Sequence, residues 1–225
     1  MKKFFVFCLL LPAALTMTAA DNEDVVFTDA DGNVYEDGTV LVLTDVEENI
    51  MGDESSDNTY MINSGLYVTN VSDELRHTTL VYEVSEISRG THSCCFPSFC
   101  ITMSTTGTYE TDRSSVKAGV SKNMITEWYT AGEGNCTATY TLYNYSYDST
   151  TAEYTLLGVG PTITVQYVWS SESTGISNLV ASDDCVSVEY YDAAGARVSN
   201  PSKGMFIKKM LMSDGTTKTQ KLVIR

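Results

Sequence analysis

"TATYTLYNY", at residues 137–145, alternates between two chemically different faces. Ala138, Tyr140, Leu142 and Asn144 share one side; Thr139, Thr141, Tyr143 and Tyr145 share the other. Successive side chains of an extended chain point to opposite faces, so this two-residue period predicts a strand with one face inward and one toward solvent. The texture repeats in both directions. "TVLVLTDV" (39–46), "GLYVTNVS" (65–72), "TTLVYEVSEI" (78–87), "FCITMS" (99–104), "AEYTLLGV" (152–159) and "TITVQYVW" (162–169) are β-branched and aromatic runs between Gly, Asn, Asp and Ser clusters. Helical periodicity is nearly absent beyond residue 20. The predicted class is all-β: an antiparallel two-sheet sandwich, immunoglobulin-like or jelly-roll-like, followed by a small C-terminal β-unit. The Cys…Trp…Cys spacing of antibody domains is missing, so the likeness is one of shape.

The chain begins "MKKFFVFCLLLPAALTMTAADN". Two lysines precede an apolar run from Phe4 to Ala14, and small residues follow to Ala20. That is the layout of a secretory signal peptide, read here as residues 1–20 with cleavage before Asp21. The run is shorter than the roughly 20 residues of a spanning helix, so no transmembrane segment is expected after cleavage. Charge then divides the rest. Residues 21–185 carry 26 acidic and 5 basic side chains; residues 186–225 carry 3 and 7. Phosphate binding needs clustered Lys and Arg, so the acidic body excludes a nucleic-acid partner. "SSESTGISNLVASDD" (170–184) is small and polar and reads as a linker between a sandwich at 21–169 and a module at 185–225. In that module "VSVEYYD" and "ARVSN" flank a turn in which Gly195 takes positive φ, and "GMFIKKMLM" and "KTQKLVIR" flank Ser-Asp-Gly-Thr. Four strands so joined make a small autonomous unit, and deleting residues 186–225 is expected to leave the body folded.

Three stretches bear on chemistry. In "DADGNVYEDG" (29–38), Asp29, Asp31, Asn33 and Glu36 offer oxygens suited to calcium. An EF-hand loop needs glycine at its sixth position and glutamate at its twelfth; here Gly32 is fourth and Val40 twelfth, so the Asp-Gly pairs are read as turns. The cysteines after the leader are Cys94, Cys95, Cys100, Cys136 and Cys185, and an exported chain oxidises by default. Pro97 favours a turn joining Cys95 to Cys100, a bridge worth about 2 kcal/mol on chain entropy, whereas Cys94 to Cys136 is worth about 4 kcal/mol. Both remain open at this stage, and an odd cysteine stays free or pairs between chains. His92 and Cys94 share a strand face, the minimum for an activated thiolate, but no family signature surrounds them. A zinc site from His92, Cys94, Cys95 and Cys100 lacks the usual paired spacing. No catalytic residue, metal or cofactor is expected. Two further functions stay in view: a hydrolase using rim carboxylates, and a glycan-binding module, which requires exposed coplanar aromatics on one face.

"YYDAAGARVSNPSKGMFIKK…GTTKTQKLVIR" resembles the C-terminal sorting domain (type A) of Bacteroidetes proteins exported by the type IX secretion system. Tyr191, Asp192, Gly195, Arg197, Val198, Lys203, Gly204, Phe206 and Ile207 match the family pattern in order, and "KLVIR" matches its ending. The resemblance implies a secretion machinery as partner of the tail and delivery, via the periplasm, to the outer cell surface or the medium. It further implies removal of the tail. The body, through "GLYVTNVSDE", "CFPSFC" and "TEWYTAGEGNCTATYTLYN", resembles secreted β-sandwich modules of the same phylum, which implies the Cys95–Cys100 bridge. The sequence thus reads as a non-catalytic surface β-sandwich whose ligand, a surface protein or a glycan, is unassigned.

Overall fold

The computed structural model describes residues 20–50, 58–170 and 185–225. Except for Ala20 and Ser170, the signal peptide and linker read from the sequence lie outside the described residues. In chain order the strands are β1 (Val25–Thr28), β2 (Thr39–Leu43), β3 (Glu47–Glu48), β4 (Tyr60–Asn63), β5 (Leu66–Asn70) and β6 (Arg76–Ile87). Next come β7 (Thr91–Cys95), β8 (Cys100–Met103), β9 (Gly107–Glu110), β10 (Ser114–Val116), β11 (Ser121–Thr130) and β12 (Gly134–Asp148). The last are β13 (Glu153–Trp169), β14 (Cys185–Asp192), β15 (Arg197–Val198), β16 (Gly204–Met212) and β17 (Thr217–Ile224). The fold is all-β and forms two sheets.

The first sheet is built around β11. One edge of β11 takes β5 and then β4; the other takes β7, with β8 beyond it, and β1 borders β5. β11 stands out poorly in the sequence because six of the ten residues of "SKNMITEWYT" are polar. Its buried face is Met124, Thr126, Trp128 and Thr130, a two-residue period partly hidden behind threonines. The second sheet runs β10, β6, β12, β13, β2, β17, β16, β14, β15, with β9 also on β6.

Two sequence expectations are corrected in that second sheet. The sandwich is not purely antiparallel, since β2 lies parallel to both its neighbours, β13 and β17. Every residue of its "TVLVL" is buried, the pattern of a strand covered on both faces, which parallel pairing favours. The runs at 152–159 and 162–169 are also one strand, β13, and not two. Gly160 and Pro161 lie between them, and the ladder to β12 shifts register there because proline has no N–H to donate.

The main core lies between the sheets. Leu80, Tyr82 and Val84 of β6, Ala138, Tyr140 and Leu142 of β12, Ile163, Val165 and Tyr167 of β13, and Leu41 and Leu43 of β2 face Phe27, Ile62, Leu66, Met124 and Trp128. The alternation of "TATYTLYNY" holds, and Ala138, Tyr140, Leu142 and Asn144 are its inward set. A second, smaller cluster gathers Val40, Val42, Phe206, Leu222 and Ile224, with Val168, Tyr190 and Val198 packed against it. Alternation along β2 sends Leu41 and Leu43 one way and Val40 and Val42 the other. The C-terminal strands cover the second face.

Candidate functional site

The sorting-pattern residues separate into shaping and displayed groups. Asp192 closes the β14–β15 turn. Its Oδ1 accepts from Ala194 N (2.9 Å) and Ala196 N (2.8 Å), and Gly195 takes the predicted positive φ, 80°. Phe206 is buried in the small cluster and Val198 packs on it. Tyr191 donates to Glu189 Oε2 (2.8 Å), and Arg197 reaches the other oxygen of Glu189 at 3.2 Å. Arg197, Lys203, Gly204 and Ile207 are exposed. The module is joined to the body along β2: Leu222, Val223 and Ile224 of β17 pair with Val40, Leu41 and Val42. Lys203 reaches Asp45 (2.8 Å), Lys221 reaches Glu36 (2.9 Å), and Arg225 stands 3.6 Å from Asp29 and bonds the Tyr35 hydroxyl. The charge break of the sequence is thus a contact in the structure, basic strands against an acidic body.

Strand β7, with His92, Cys94 and Cys95, is structural. Cys95 and Cys100 are bridged across β7 and β8. Cys94, Cys136 and Cys185 are free thiols, so the alternative Cys94–Cys136 bridge is not formed. His92 and Cys94 do share a face, and that face is the core. His92 Nε2 bonds the Tyr140 hydroxyl (2.7 Å), which bonds that of Tyr167 (3.3 Å). Burial lowers the His92 pKa to about 4 and pushes the Cys94 thiol far above its ordinary range. A thiolate is disfavoured in that setting, so the pair does not make an activated nucleophile. At the other candidate loop, Asp29 spends its carboxylate internally. Oδ1 accepts from Asp31 N (3.0 Å) and Asn33 N (2.9 Å), and Oδ2 from Asn33 Nδ2 (2.9 Å). Gly32 and Gly38 both have positive φ, as the turn reading requires. Among the described residues no three His, Cys, Asp or Glu converge on a metal-sized site.

Where the sheets meet near Arg225, a cleft of about 370 Å³ is lined by Leu43, Asp45, Glu47, Ile62, Asn63 and Arg225, among others. Its two carboxylates are not equivalent. Asp45 directs both oxygens to Lys203 Nζ (2.9 and 2.8 Å), which leaves Glu47 alone where carboxylate-dependent hydrolysis takes two.

One cluster was not singled out as a site in the sequence. At the far end of the β6–β12–β13 ladder, His77 pairs with Tyr145, Tyr145 with Leu156, and Tyr147 with Tyr154. Cross-strand partners share a face, so these side chains form one surface. Tyr147 and Tyr154 are exposed, with ring centroids 4.8 Å apart and planes inclined at 41°. They are therefore not the coplanar platform that the glycan-binding alternative required. Arg113, from the segment before β10, lies 4.3 Å from the ring centroid of Tyr145 and 4.2 Å from that of Tyr154. His77 stands edge-on to Tyr154 at 5.0 Å, and burial, with Arg113 nearby, lowers its pKa. The outward tyrosines of "TLYNYSY" were legible as a face; Arg113 reaches it only through folding.

The described chain is thus defined as a two-sheet β-sandwich whose C-terminal strands extend one sheet. No known protein family and no curated protein matches the sequence. Among solved structures, the N-terminal domain of PorA is similar with a TM-score of 0.40 and 13% identity, over 65% of this chain and 97% of that one. Overlap at that level carries no functional argument.

Proposed function

We propose that this chain is an exported, non-catalytic binding protein of the cell surface, delivered by strands β14–β17 acting as a sorting signal. The observation that carries the proposal is the division of labour in the tail. Asp192, Gly195, Val198 and Phe206 hold its shape, while Arg197, Lys203 and Ile207 lie at the surface, the two cations held only in solvent-accessible ion pairs to Glu189 and Asp45. The Cys95–Cys100 bridge suits an oxidising, extracytoplasmic setting. Asp29, Asp45 and Asp192 are drawn into turns or ion pairs, and the cleft is left with Glu47 as its one uncommitted carboxylate, which favours binding over hydrolysis.

Deletion of the tail is a poor test, because it also uncovers Val40 and Val42. Arg197→Ala and Lys203→Ala together alter the display without touching the small cluster. The double variant, expressed in the native cell, should keep the thermal stability of the parent to within a few degrees and fail to reach the surface. Unchanged surface levels rule out a sorting role for these residues.

A further inference from the structure

The surface made by Arg113, Tyr145, Tyr147 and Tyr154 places a cation against tyrosine rings. Body residues 21–185 contain 5 basic side chains against 26 acidic ones. Arg76 is paired with Asp24 (2.7 Å) and Glu74 (2.5 Å). Arg113, by contrast, makes no ion pair among the described residues. Its guanidinium instead rests against two tyrosine rings, at 4.3 and 4.2 Å. Stacking uses the flat faces of a guanidinium and leaves its N–H edge free, and that edge is the part that grips a carboxylate with two parallel bonds. Holding the group against two rings removes much of the rotamer freedom that an exposed arginine loses on binding.

We propose that this surface binds a carbohydrate bearing a carboxylate, a uronic-acid sugar, with Arg113 taking the carboxylate and the exposed Tyr147 ring lying against the sugar. The inference rests on the binding role proposed above and names its ligand. Two features set the class. Tyr147 is 42% exposed and Leu156 is 50% exposed, so apolar surface borders the cation, as the apolar faces of a pyranose require. The inclination of Tyr147 to Tyr154 argues against stacking of a flat, multi-ring sugar face and for a single sugar held at its acid group.

The test uses the full chain and an oligogalacturonate, with its carboxyl-reduced counterpart as the neutral control, in titration calorimetry at physiological salt. Binding of the oligogalacturonate alone is expected. Arg113→Ala should weaken it about tenfold or more, the scale of a lost charge-assisted contact. Arg113→Lys should recover little, because it keeps the charge without the fork, and Tyr147→Ala should weaken binding less than Arg113→Ala. Both positions are exposed, so unchanged thermal unfolding of the variants confirms that the fold is intact. Equal binding of the reduced sugar overturns the acidic class while leaving a binding role standing. Binding of a glutamate-rich peptide but not the uronate, with the same dependence on Arg113, overturns the sugar assignment. Uronate binding indifferent to Arg113→Ala places the ligand elsewhere and overturns the site. No binding of any of the three overturns the inference, and the sorting role, tested through Arg197 and Lys203, is unaffected by that result.

Discussion

The two apolar clusters of this protein share β2 and otherwise differ in kind. The main core is closed by large side chains from many strands, with Trp128, Tyr82, Tyr140 and Tyr167 fully buried. It also contains the polar string His92–Tyr140–Tyr167. The small cluster has five buried members, Val40, Val42, Phe206, Leu222 and Ile224, and three of them belong to the tail. Ion pairs of exposed groups, such as Lys203 with Asp45, ring it. The buried members of the main core all lie between residues 25 and 167, and the tail adds only the partly buried Val223 against it. The small one exists only while the tail is seated. The comparison teaches that a C-terminal module can look separate by charge and turns and still complete the sheet of the body.

The most severe way to break this comparison is to delete residues 186–225. Removing β17 frees one edge of β2 and exposes Val40 and Val42, and such an edge is a template for association. The truncated chain should self-associate and unfold at lower temperature than the full chain; size-exclusion chromatography and calorimetry decide. A truncated chain with the parent's melting temperature and elution volume would show that the tail is an independent unit.

A matched pair of substitutions sharpens it. Leu142 lies in the main core and Leu222 in the small one, and both are almost fully buried. Leu142→Ala should cost about 3–5 kcal/mol in denaturant unfolding, and Leu222→Ala about 2 kcal/mol, because the thinner cluster can collapse around the vacancy. Equal costs would make the tail as integral as the core.

Acid should act on the main core through His92. His92 is fully buried with its pKa at about 4, below the ordinary 6.5. As pH falls, the unfolded chain takes up this proton first. The contribution is complete above about pH 6.5, declines between 6.5 and 4, and falls no further well below 4. Over that window the stability of the parent relative to His92→Gln should drop by roughly 3 kcal/mol. A pH-independent difference would show that His92 does not titrate with unfolding.

The rim contributes least. Lys203 and Asp45 are both about two-thirds exposed, at 68% and 65%. Lys203→Ala should change stability by less than about 1 kcal/mol, and the change should vanish in high salt. A larger, salt-resistant loss would mean that the pair orders the seam.

Much of the fold is legible in residue spacing. The faces of β12, the turns at Gly195 and the Ser-Asp-Gly-Thr of the tail, and the all-β class follow from two-residue periodicity and turn chemistry, which are local. β11 was obscured because Thr126 and Thr130 fill inward positions, and threonine carries no sign of burial in itself. The displayed tail residues could be named from the pattern they match. The Arg113 cluster could not, since it joins residues from β6, β12, β13 and the segment before β10.

The sequence alone therefore determined the class of structure, the two-face alternation of its clearest strands, and the division of charge at residue 185. Tertiary structure decided the rest. It set β2 parallel between β13 and β17, so that the tail covers Val40 and Val42. It chose Cys95–Cys100 from the open bridges, buried His92 with Cys94, and brought Arg113 onto the tyrosines. The physical reason is the same in each case. Periodicity acts between neighbours in the chain, whereas sheet order, thiol proximity and ring stacking depend on which distant strands pair, and pairing is settled by the burial of the whole.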